Sequence, residues 1–205
     1  MSTSESATTQ TGPPPAGREQ VIAAVLAATE RLSATGQPSS FTVRQIAAEA
    51  EVTTSLLYFY FKSKDEIVLA TVRSISATID ATVAGHEGVG DISSATSRML
   101  AKHPAFPRLL AWLVLEGRSF AELSDDPFLN RLARMFAAHG SSDPDTDAGA
   151  VVTMLLGNAL FRGDINAALE RPSDDRRLIE ALDRTRVDFA TKAVEQSPPE
   201  APMPQ

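Results

Sequence analysis

Two capping boxes close together constrain this chain more than any other feature. Thr42 is followed three residues later by Gln45, and Ser63 by Glu66. In such a pair the hydroxyl and the amide or carboxylate satisfy the orphan N–H groups of a first helical turn. Helices therefore begin near Val43 and Lys64. Between them Thr53 can cap a short helix running from about Thr54 to Phe61, its hydroxyl oxygen accepting from an N–H of that helix. The rest of the pattern is helical as well. Val21, Val25, Ala28 and Leu32 recur at helical spacing, as do Val68, Val72, Ile75 and Ile79, and further on Leu178, Leu182 and Phe189. No run alternates with period two.

The chain is thus expected to be all-α, with about nine helices in total and no repeats. Downstream of the capping boxes, helices are predicted near 91–102, 107–121, 127–139, 147–169 and 174–195. The breaks between them are Gly88 and Gly90, Pro104, the Ser124–Pro127 turn, the loop from Gly140 to Pro144, and Pro172. Residues 1–16 and 196–205 are rich in Pro, Ser and Thr and are expected to be disordered tails, because they offer little apolar surface to offset chain entropy.

Composition narrows the chemistry. The absence of cysteine removes disulfides, thiolate nucleophiles and thiolate metal sites. The first seventeen residues carry neither the basic n-region nor the apolar h-region of a signal peptide. Val151–Phe161, the longest nearly apolar stretch, is too short to cross a bilayer. A cytoplasmic protein without a membrane partner is expected. His86, His103 and His139 are dispersed, with no metal-ligand spacing, and are read as surface or cap residues. No nucleophile elbow, phosphate loop or dinucleotide turn is present, so neither an enzyme nor a cofactor is expected.

The net charge of −7 argues against a nucleic-acid binder until its distribution is considered. Residues 17–64 hold five basic and four acidic side chains and only Glu5 precedes them, which leaves −7 for residues 65–205. A near-neutral head precedes an acidic body.

Within that head, Ala47 is small where two helices must cross, Val52 is apolar at the turn, and Leu57 is apolar where the next helix packs back; this spacing fits a helix-turn-helix. On a projection of the helix from Thr54, residues Leu57, Tyr60 and Phe61 share one side, while Ser55 and Phe59 lie opposite. Phe59 is then an exposed aromatic, suited to thymine methyl groups in a major groove. Arg44, Thr53, Thr54 and Ser55 are placed to reach base edges or phosphates.

The segment from Phe41 to Ile67 also resembles the signature of the TetR family of transcription regulators. The residues that carry the resemblance are Thr42, Val43, Arg44, Ile46, Ala47, Ala48, Tyr58, Tyr60, Phe61, Lys64, Asp65 and Glu66. Glu51 departs from it, standing where that family usually has Gly in the turn. The resemblance implies that Thr42, Tyr58, Tyr60 and Lys64 hold phosphate oxygens of double-stranded DNA. It further implies a helix-turn-helix domain over 17–64, followed by an effector-binding and dimerisation domain over 65–195.

The expected function is a repressor that binds a palindromic operator as a homodimer and is released by a small, largely apolar effector. The helix expected at 147–169 is apolar around more of its circumference than a one-sided surface helix needs, which fits a dimer interface. Candidate effector contacts are Met99, Phe106, Trp112, Glu116, Phe120, Met135, Asn158, Phe161 and Arg162. Each aromatic or thioether residue alone reads as core ahead of ligand contact, whereas Glu116, Asn158 and Arg162 interrupt apolar stretches and need solvent, partners or a polar ligand group. The alternative is a helical dimeric adaptor or small-molecule-binding protein with no DNA role.

Overall fold

A computed structural model describes residues 17–86, 89–119, 122 and 128–170. The described residues form eight α-helices and no strand: α1 (Arg18–Thr35), α2 (Val43–Glu49), α3 (Thr54–Tyr60), α4 (Lys64–Val83), α5 (Val89–Lys102), α6 (Phe106–Leu115), α7 (Phe128–Ala138) and α8 (Pro144–Ala168). A single 3-10 turn, Pro38–Ser40, joins α1 to α2. The expected helix at 174–195, both tails and Phe120 lie outside the described residues.

The helix starts follow from their caps. Thr42 and Gln45 form the full reciprocal box, with the Thr42 N–H donating to Gln45 Oε1 at 2.8 Å and the Gln45 N–H to Thr42 Oγ1 at 3.3 Å. The Leu56 N–H donates to Thr53 Oγ1 at 3.2 Å. At α4 only half of the expected box forms. Ser63 Oγ accepts from the Glu66 N–H, but the Glu66 carboxylate accepts from the Lys62 N–H at 2.6 Å, one residue before the cap. α8 starts at Pro144, three residues before the expected 147, because Asp143 caps it and Pro144 fits the first helical position, where no N–H is needed.

Helix ends depend on left-handed residues. α6 was expected to run to 121 and stops at Leu115. Gly117 takes φ 84°, while the N–H groups of Gly117 and Arg118 turn back to the carbonyls of Val114 and Leu113. This is a Schellman closure. Gly140, at φ 84°, ends α7 in the same way through Ser141 N–H to Phe136 O.

Burial divides the molecule into two cores. Val25, Ala28, Phe41, Ile46, Ala47, Leu57, Phe61 and Ile67 make the head core. Residues of α4 to α8, among them Val72, Ile79, Leu109, Leu132, Phe136 and Val151, make the body core. The expected stripe Val68, Val72, Ile75 and Ile79 is buried throughout. α4 joins the two, since Ile67 in its first turn belongs to the head and Val68 onward to the body. No helix among the described residues is long and apolar enough to cross a membrane.

Candidate nucleic-acid interface

The head is braced so that α3 presents a fixed face. Arg31 on α1 donates through Nε to Glu49 Oε1 at 2.6 Å and through Nη2 to the Glu49 carbonyl at 3.1 Å, pinning the end of α2. The turn after α2 is a Schellman closure: the Val52 N–H donates to Ala47 O at 2.9 Å and the Glu51 N–H to Ala48 O at 3.1 Å. Glu51 occupies its left-handed position at φ 56°. The geometry that favours Gly is therefore kept with a residue that has a Cβ. Val52 then packs on the head core, fixing the angle at which α3 departs.

On α3, Leu57 is fully buried, and Phe61, just past the helix end, is buried with it. Ser55, Tyr58 and Phe59 face outward; Phe59 is 78% exposed and Tyr58 53%. Phe59 makes an edge-on contact with the Tyr60 ring at 5.1 Å between centroids, so it is not wholly without a neighbour. Tyr60 is half-buried against the head core. Thr42 and Thr53 are exposed and serve as caps, and Thr54 is partly buried. Arg44 is exposed on α2 and its guanidinium has no partner among the described residues.

The Lys64 ammonium, expected at a phosphate, is engaged within the protein. It donates to the carbonyls of Pro38 at 2.8 Å and Phe41 at 3.3 Å, and it lies 5.6 Å from the ring centroids of both Phe41 and Trp112. That is within cation–π range. It thus ties the 3-10 turn and α6 to the start of α4. The exposed cation beside α3 is Lys62, whose ammonium has no partner among the described residues. Sequence reasoning passed over it. The available signal was that Lys62 precedes the cap Ser63, outside the helix, and so is not committed to helix packing.

The candidate effector contacts scatter. Met99, Phe106 and Met135 are buried in the body core, and Trp112 sits at the head–body junction under Lys64. Glu116 ends α6 in the open, and Phe161 is 57% exposed on α8. Asn158 and Arg162 line a cleft between α5, α6 and α8. Of the histidines, His103 Nδ1 lies 2.7 Å from Glu30 Oε1, linking the body to α1, and His139 Nδ1 lies 2.8 Å from Met135 O. His86 Nδ1 is buried without a hydrogen-bond partner.

Residues 25–71 match the family described as bacterial regulatory proteins, tetR family. The HTH-type transcriptional repressor Rv3405c of Mycobacterium tuberculosis is 30% identical over 142 residues, covering 69% of this chain and 71% of that protein. Among solved structures, a transcriptional regulator from Rhodococcus sp. Rha1 superposes with a TM-score of 0.65 at 16% identity, over 85% of this chain and 96% of the other. BioQ bound to its double-stranded DNA operator superposes at 0.57 with 24% identity, over 84% and 97%. With the capped tri-helical head and its outward-facing α3, these likenesses establish that the chain belongs to the TetR family of bacterial regulatory proteins, DNA-binding transcriptional regulators and not enzymes.

Proposed function

We propose that this protein is a ligand-responsive repressor that acts in the cytoplasm, reads a palindromic operator as a homodimer and leaves it when a small molecule binds the body. The observation that carries the DNA-reading assignment is the exposed Tyr58 and Phe59 face on a helix that is anchored from its other side by the fully buried Leu57. Large aromatic surface held rigidly in water needs a partner, and a major groove offers thymine methyl groups and phosphates together. Residues 17–64 are the reading head, with Ser55, Tyr58 and Phe59 toward the bases. Thr42, Arg44, Thr53, Thr54, Tyr60 and Lys62 border this face. Lys64 secures the head to the body. The domain from residue 65 onward holds the effector site and the dimer interface.

Dimerisation is supported by α8. Phe161, Ile165 and Leu169 follow one another at intervals of four residues and are 57%, 45% and 54% exposed. A second copy of the same stripe covers them in a two-fold arrangement, which also pairs two heads on a symmetric site.

Phosphate contacts position a protein and base contacts specify, so two variants separate these roles. Titrated against variants of its own upstream DNA, Phe59→Ala should relax preference at one base pair per half-site, at a cost of about 1 kcal/mol. Lys62→Ala should weaken binding to every sequence alike and flatten the salt slope by about 0.9 per lost phosphate contact. A uniform loss in both variants would refute the placing of Phe59 in the groove.

A further inference from the structure

A cleft of about 450 Å³ opens between α5, the turn that leads from it to α6, and the middle of α8. That is within the range of small-molecule sites. Its apolar wall is made by Leu100, Met154 and Leu155, and three arginines, Arg98, Arg108 and Arg162, are among the residues that line it. Among the described residues no Asp or Glu lines it. The lining thus differs in sign from residues 65–205 as a whole, which carry a net −7.

Arg98 and Arg162 have no hydrogen-bond or ion-pair partner among the described residues. Each guanidinium presents five donors in a planar fork suited to bidentate capture of a carboxylate or phosphate. Arg98 and Arg108 are exposed and Arg162 is half-buried; like charges lining one concave site raise the local affinity for an anion. Arg108 has a second engagement: its Nη1 donates to the Ala34 carbonyl, in the last turn of α1, at 2.9 Å.

We propose that this cleft is the effector site and takes an amphipathic anion. Arg98, Arg108 and Arg162 hold its carboxylate or phosphate head, and its apolar body lies on Leu100, Met154 and Leu155. The proposal rests on the reading of the protein as ligand-responsive and changes the expected effector from a largely apolar molecule to one with a charged head. It also supplies a route to the DNA. An anion that draws Arg108 toward it competes with the Ala34 carbonyl and loosens the hold of the body on α1, the helix that braces α2 through Arg31.

The test is calorimetric titration of the full chain with octanoate, octyl phosphate and octanol, in the parent and in Arg98→Gln/Arg162→Gln. At least one anion should bind saturably, one per protomer, at least tenfold tighter than octanol, and which anion is tighter separates a carboxylate from a phosphate ligand. The double variant should lose tenfold or more in anion affinity while its affinity for octanol is unchanged. Octanol binding as tightly as the anions, a double variant equal to the parent, or no saturable anion binding would each overturn the proposal. In a parallel mobility shift on upstream DNA, a double variant that binds DNA normally but takes anions as the parent does would overturn the anion site and leave DNA reading intact. A parent that never binds DNA would overturn the regulatory reading by itself. In Arg108→Ala the effect of the anion on DNA affinity should fall severalfold, and an unchanged effect would refute coupling through Arg108.

Discussion

Glu51 holds a backbone conformation that costs an L-residue about 1 to 2 kcal/mol. The two Schellman hydrogen bonds at Ala47 and Ala48 and the packing of Val52 over-determine it. Gly at this position relieves the strain but widens the unfolded ensemble, offsetting about 0.4 to 1 kcal/mol. Glu51→Gly should therefore raise stability by about 0 to 1.6 kcal/mol, read as a shift in denaturation midpoint. The exposed carboxylate stands one residue before Val52 and two before the cap of α3, close to where phosphates would lie. Removing it should tighten DNA binding more at low salt than at high salt. A variant that is less stable and binds DNA no better would contradict this account of the turn. The demand for a left-handed residue at Glu51 was legible through the family resemblance, which usually places Gly in this turn. The direction of Lys64 was not, because it depends on carbonyls from the 3-10 turn and a ring from α6, elements distant in sequence.

At the scale of elements, α8 carries the most direct test of assembly. Ile165 is half-exposed in the single chain, so a charge there leaves the protomer core intact, whereas in a two-fold interface it is buried beside Phe161 and Leu169. An unpaired charge in such a place costs several times the contribution of the apolar side chain it replaces. Ile165→Asp should weaken the dimer a hundredfold or more, about 2.7 kcal/mol, giving monomers in sedimentation velocity at micromolar concentration with an unchanged helical spectrum. An undiminished dimer would place the interface elsewhere. Helix starts were legible where a side chain caps them, as at Thr42, Thr53 and Ser63. The end of α6 was missed because Gly117 lies within an otherwise helical pattern, and only its left-handed backbone shows that it closes the helix. The residues of the cleft were legible only in part: Asn158 and Arg162 stand out because they interrupt an apolar stretch, whereas Arg98 on α5 and Arg108 on α6 read in the sequence as ordinary surface charge.

Across the whole molecule, head and body share α4 and, among the described residues, are further joined by His103 to Glu30, by Arg108 to the Ala34 carbonyl and by the Lys64 ammonium over the Trp112 ring. The first two involve α1, which in turn braces α2 through Arg31 and Glu49. In the proposed ligand-responsive reading, a change in the body that alters these ties would alter the pose of α3, and in a dimer the spacing of two such helices. Such coupling is reciprocal, so DNA and effector would then weaken each other by the same factor. All of this presupposes that two copies of α3 engage one duplex. Nuclease protection of the upstream DNA by the purified protein, combined with the mass of the complex, measures that directly. The account predicts protection of a two-fold symmetric site, with an even number of protomers bound and half-site centres about 34 Å apart or a multiple of that spacing. A folded protein that protects no site at low salt, or that binds as a single protomer on an asymmetric one, would contradict it.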